Sequence, residues 1–168
     1  MRIMLRTVIT MSFFYCLPLS AETNTTSTES CLEHSLAAVL GGGDMEQYLD
    51  TTAIVLTVLG RQNAAAQNDR ALMDDLASTI LTALAERVES RGATYRGARI
   101  QVQQSDPRSA IGVITKTNGQ RYTFRVLGNF DSNQCHIRQL IIEDVFRLTA
   151  WLARQPIVIE KMTSYHLR

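Results

Sequence analysis

The stretch Ala110-Ile111-Gly112-Val113-Ile114-Thr115-Lys116-Thr117-Asn118-Gly119-Gln120-Arg121-Tyr122-Thr123-Phe124-Arg125-Val126 decides the fold. It opens on an apolar, β-branched run and closes on strict alternation, with Tyr122, Phe124 and Val126 on one side and Arg121, Thr123 and Arg125 on the other. Between them, Asn118-Gly119 suits a type I′ turn, whose two central residues both need positive φ. The pattern predicts an antiparallel hairpin with one buried face.

Working back from it, Ser105-Asp106-Pro107 reads as a turn, and before it Ile100 and Val102 alternate with Arg99 and Gln101 as a further strand. Working forward, a loop from Gly128 to Gln134 leads to a fourth strand, His136 to Ile142, whose end is apolar on both faces. Asp144 is placed to cap a final helix carrying Val145, Leu148, Trp151 and Leu152, and Pro156 to end it. The tail beyond has no assignment.

Before residue 92 the period is helical. Ser30 and Glu33 form a capping box ahead of Leu32, Leu36, Val39 and Leu40, and Gly41-Gly42-Gly43 stops that helix. Asp44 with Gln47 starts a second, with Met45, Tyr48, Leu49, Val55, Leu56 and Leu59 at three-and-four spacing and Gly60 as its cap. After a polar, alanine-rich link, Leu72, Met73, Leu76, Ile80, Leu84 and Val88 line a long helix. A second edge of Ala77, Leu81 and Ala85 marks it as covered on more than one side. Helices first and strands after predict an α+β fold, with N-terminal helices packed on a C-terminal four-stranded antiparallel sheet.

Lys and Arg number 17 against 16 Asp and Glu over 168 residues, without a basic block, which argues against a nucleic-acid partner. Arg2 and Arg6 precede an apolar run to Leu19 and then Ser20-Ala21, so residues 1–21 read as a secretory signal peptide. Residues 22–29 read as a flexible leader and residues 30–168 as a single domain. Export leaves Cys31 and Cys135 as an even pair where disulfides are permitted. A metal shared with His34 and His136 is disfavoured, because neighbours in a strand point to opposite faces. Neither a cofactor nor a catalytic set is predicted. The three histidines are scattered, the aspartates sit at turns or a helix start, and Gly41-Gly42-Gly43 lacks the Lys-Ser/Thr of a phosphate loop.

The order of elements and several local runs resemble the MlaC-type periplasmic phospholipid-binding proteins of the toluene-tolerance group. The resemblance rests on Val58-Leu59-Gly60-Arg61, on the helix Leu72 to Val88 followed by Tyr95-Arg96-Gly97 and Ile100-Gln101-Val102, and on Leu140-Ile141-Ile142-Glu143-Asp144-Val145-Phe146-Arg147-Leu148. It covers roughly Met45 to Arg154. Val145 stands where the family has glycine and Arg147 where it has serine.

The resemblance implies a curved sheet wrapped as a cystatin-like or nuclear-transport-factor-like cone. It also implies a non-enzymatic periplasmic carrier that shuttles phospholipid between outer and inner membranes. Its partners would be an inner-membrane ABC transporter complex and an outer-membrane lipoprotein or porin complex. The candidate lipid lining is Leu76, Ile80 and Leu84 from the long helix with Val113, Tyr122, Phe124, Leu140 and Ile142 from the sheet. Arg96, Arg99, Arg121 and Arg125 suit a head group. Each buried methylene is worth about 0.8 kcal/mol, so acyl chains can be held without covalent chemistry. Read without the resemblance, the same apolar residues are an ordinary core, and the domain is an exported adaptor without a ligand. An apolar cavity of several hundred Å³, the size of ligand pockets, separates the two readings.

Overall fold

The computed structural model describes residues 23–60, 68–91, 94–131, 134–143 and 145–166. The signal-peptide reading of residues 1–21 and the cap read at Asp144 lie outside them.

The first helix, α1, runs Thr23–Gly41. It starts seven residues ahead of Ser30, so a helix occupies most of what reads as a flexible leader and Ser30 is no helix start. Glu33, freed from a capping role, instead accepts a hydrogen bond from the Val102 amide at 3.2 Å. Leu32, Leu36 and Val39 form its buried stripe. The Gly42 and Gly43 amides both close on the Ala38 carbonyl, at 3.1 and 2.9 Å, and end the helix.

The single helix read from Asp44 to Gly60 is two pieces. A 3₁₀ turn, Glu46–Tyr48, is followed by Leu49 in an extended conformation and then by α2, Thr51–Leu59. The break has a tertiary cause. Leu49 bridges to Ile137, and the Asp50 amide donates to the Ile137 carbonyl at 2.9 Å. Asp50 then caps α2 by accepting from the Ala53 amide at 3.0 Å. The long helix α3, Arg70–Arg91, follows the periodicity closely and buries Leu72, Leu76, Thr79, Ile80, Ala83 and Leu84. Asp69 caps it through the Leu72 amide.

The strands are β1 Arg99–Ser105, β2 Ser109–Thr115, β3 Arg121–Phe130, β4 Cys135–Ile142 and β5 Phe146–Arg147, antiparallel and in sequence order across one sheet. The sheet therefore has five strands where the sequence predicts four. After β4 the chain reverses, with the Val145 amide on the Ile142 carbonyl, and lays Phe146 and Arg147 back against Ile142 and Ile141. Val145 is half exposed in that turn rather than in a helix.

The following helix, α4, is short, Leu148–Leu152. Pro156, which the sequence reading makes a helix stop, opens another, α5, Pro156–His166. Proline suits the first turn, since its missing N–H has no helical partner there.

The hairpin forms where predicted but with another turn. The Gly119 amide donates to the Lys116 carbonyl at 2.9 Å and the Lys116 amide to the Gln120 carbonyl at 2.8 Å. This is a three-residue loop with Gly119 alone in the bulge position, at φ 84°. Register shifts between Val102 and Gln104 and between Leu127 and Gly128 bulge the sheet. One sheet face carries Ala110, Ile114, Phe124, Val126, Phe130, Cys135, Ile137, Leu140 and Ile142 into the core. The helices cover that face: α1 packs on β1 and β4, α2 on α3, and α3 on α5.

Candidate functional site

The candidate lining residues divide. Leu76, Ile80 and Leu84 of α3 and Phe124, Leu140 and Ile142 of the sheet are all 3% exposed or less and belong to one core cluster. Val113 does not join them. It alternates with the buried Gly112 and Ile114 and pairs with Gln101 and Thr123, which places it on the sheet face turned away from the helices. Tyr122 is on the core side but at its rim, where its hydroxyl donates to Gln120 and meets the Lys116 ammonium at 3.5 Å. Lys116 also stands over the Tyr95 and Tyr122 rings.

A partly open cavity of about 40 Å³ lies between Leu84 and Val88 of α3 and Leu140 and Ile142 of β4, with Val39 and Phe146 also in its wall. Cys31 and Cys135 form a disulfide, with Cα atoms 6.1 Å apart, tying α1 to the start of β4. Among the described residues no three His, Cys, Asp or Glu side chains gather into a set that could hold a metal ion. No described helix is long and apolar enough to cross a membrane.

The four arginines read as head-group contacts are exposed and spread over the domain. Arg121 and Arg125 are on the outer face of β3, Arg99 begins β1, and Arg96 borders an open groove with His34 and Tyr48. A different arginine set converges. Arg87 and Arg91, one turn apart near the end of α3, meet Arg147 of β5 and Arg154 just after α4 around an open groove of about 880 Å³. Phe146 and Trp151 lie in it, their ring centroids 6.0 Å apart. The Arg87 guanidinium carbon stands 4.3 Å from the Phe146 centroid and 4.7 Å from that of Trp151, within the range of cation–π attraction. Burial lowers the Arg87 pKa from its ordinary value, and Arg91 adds to that, while Tyr95 opposes it. The guanidinium stays charged at any physiological pH.

Sequence periodicity offers only a faint trace of this groove: Arg87 and Arg91 are i, i+4 neighbours, and Arg147 and Arg154 flank Trp151. What joins the pairs is the reversal after β4. No family model, curated protein or solved structure matches the chain.

Proposed function

We propose that the protein is an exported interaction domain, a helix-backed antiparallel sheet of the cone-like kind with a filled core, which binds another protein and carries no lipid. The observation that supports this is the near-complete burial of Leu76, Ile80 and Leu84 in one core cluster with Phe124, Leu140 and Ile142, where the space beside Leu84 measures about 40 Å³. That space holds a few water molecules at most, whereas ligand pockets run to roughly 300–1,000 Å³. The bulges in β1 and β3 are in keeping with a curved, cone-like sheet. The Cys31–Cys135 disulfide fits an oxidising compartment such as the periplasm.

One observation favours the phospholipid-carrier reading in second place. The small apolar cavity and the arginine groove share Arg87, Arg91, Ile142 and Phe146, the arrangement in which a head group would sit above buried chains.

Native mass spectrometry of protein purified from a bacterial periplasm, followed by organic extraction, separates the two. The interaction-domain reading expects a bare chain mass that incubation with phospholipid vesicles does not change. A retained adduct of phospholipid mass would overturn it. That result would favour a carrier working between an inner-membrane ABC transporter and an outer-membrane lipoprotein or porin complex.

A further inference from the structure

The groove at the end of α3 assembles like charges that no ion pair among the described residues takes up. Arg91 lies in the last turn of α3, where a cation interacts favourably with the helix dipole, and this accounts for one of the four arginines. Arg87, Arg147 and Arg154 have no such role. The ion pairs Arg138 with Asp50 and Lys161 with Asp75 lie elsewhere, and among the described residues no ion pair or hydrogen bond takes up the guanidinium donors of these arginines. Glu143 is the acid that the described residues contribute to the wall.

Arg87 is the most informative of them. It is half-buried over two aromatic rings, so part of its hydration is lost while its N–H donors remain uncommitted. An oxyanion arriving there makes charge-assisted, bidentate bonds that exceed ordinary neutral ones in strength.

We propose that this groove binds an acidic peptide segment of a partner protein, with Asp or Glu carboxylates on Arg87, Arg147 and Arg154 and apolar side-chain atoms against Phe146 and Trp151. The proposal rests on the interaction-domain reading and names its contact surface. A volume of about 880 Å³ exceeds what a single small anion fills. Cations contributed by α3, β5 and the end of α4 match several spaced carboxylates rather than one compact group. A phospholipid head group is the poorer fit, because the adjoining cavity of about 40 Å³ gives its chains nowhere to go. Nucleic acid is a poorer fit still, since the chain as a whole carries a formal charge of only +1.

Trp151 is the only tryptophan in the chain, so intrinsic fluorescence reports on this groove directly. Titration of the full chain with a hexaglutamate peptide at low salt is expected to give a saturable change, and hexaglutamine none. Arg147→Gln with Arg154→Gln, both at exposed positions, is expected to weaken hexaglutamate binding about tenfold or more, as loss of two charge-assisted contacts requires. Arg87→Gln is expected to weaken it further. Arg70→Gln with Arg108→Gln removes the same net charge far from the groove and is expected to leave the affinity within about twofold, because distant exposed charges are screened. Circular dichroism on each variant confirms the fold. Equal losses in the two double variants would overturn the proposal, as would absence of saturable hexaglutamate binding. A fluorescence change with phosphatidylglycerol vesicles but not with hexaglutamate would overturn it in favour of a lipid surface. Failure of the peptide titration leaves the mass-spectrometric result untouched, so the groove and the interaction-domain reading fall separately.

Discussion

Gly112 and Phe124 face each other across β2 and β3, and the Phe124 ring lies so close over Gly112 that a Cβ added there would come within 2.6 Å of its Cζ. The Gln101 carbonyl crowds the same point from β1. The glycine is therefore set by close approach rather than by backbone angle. Gly112→Ala is expected to destabilise the domain by about 1–3 kcal/mol, the usual range for overpacking. Urea denaturation checks this. Phe124→Leu in the same chain should recover part of the loss but not all of it, since the Gln101 carbonyl remains.

Ile80 is fully buried on α3 within the core cluster. If the core is filled, Ile80→Ala leaves a hole and is expected to cost about 2–5 kcal/mol. If the residue instead lined a lipid channel, truncation would widen existing space and cost far less stability. Chemical denaturation of lipid-free protein distinguishes the outcomes, and a loss below about 1 kcal/mol would count against the packed-core reading.

Where side chains announce their own face, the sequence was legible. Tyr122, Phe124 and Val126 alternate with polar residues, and Leu72 to Leu84 repeat at helical spacing, so β3 and α3 could be read directly. β2 could not be read so finely: its core face is Ala110, Gly112 and Ile114, and the glycine leaves Val113, on the opposite face, looking the more buried. Leu49 fits a helix by spacing alone, but its backbone is taken by Ile137, far along the chain. The arginine groove was the least legible feature. Its parts come from α3 and from the segment after β4, and only the β5 reversal brings Phe146 beneath Arg87.

The Cys31–Cys135 bond closes a loop with a sequence separation of 104 residues. A loop of that length is worth about 3–5 kcal/mol in the chain-entropy account. Cys31→Ala with Cys135→Ala should lower stability by that amount, and addition of reductant to the parent chain should lower it comparably. Thiol titration of the unfolded, unreduced protein from an oxidising compartment should find neither cysteine free. A double variant as stable as the parent would show that the bond adds nothing to this fold.

Asp106 organises the turn between β1 and β2. Its carboxylate accepts from the Ser109 hydroxyl at 2.6 Å and from the Arg108 and Ser109 amides at 2.7 and 2.8 Å. These bonds, the Ser109 hydroxyl foremost, hold its pKa below the ordinary carboxylate value. The turn in turn serves β3, since the Pro107 and Arg108 carbonyls receive the Phe130 and Gly128 amides. With the folded pKa depressed, the stabilisation is fully present above the unfolded value of about 3.9 and is lost as pH falls through the folded one. Asp106→Asn keeps the shape and removes the charge. At neutral pH it should unfold at lower urea than the parent, and the gap should close as pH is lowered from about 5 toward 2. A gap that persists unchanged into acid would mean that the carboxylate's charge does not hold this turn.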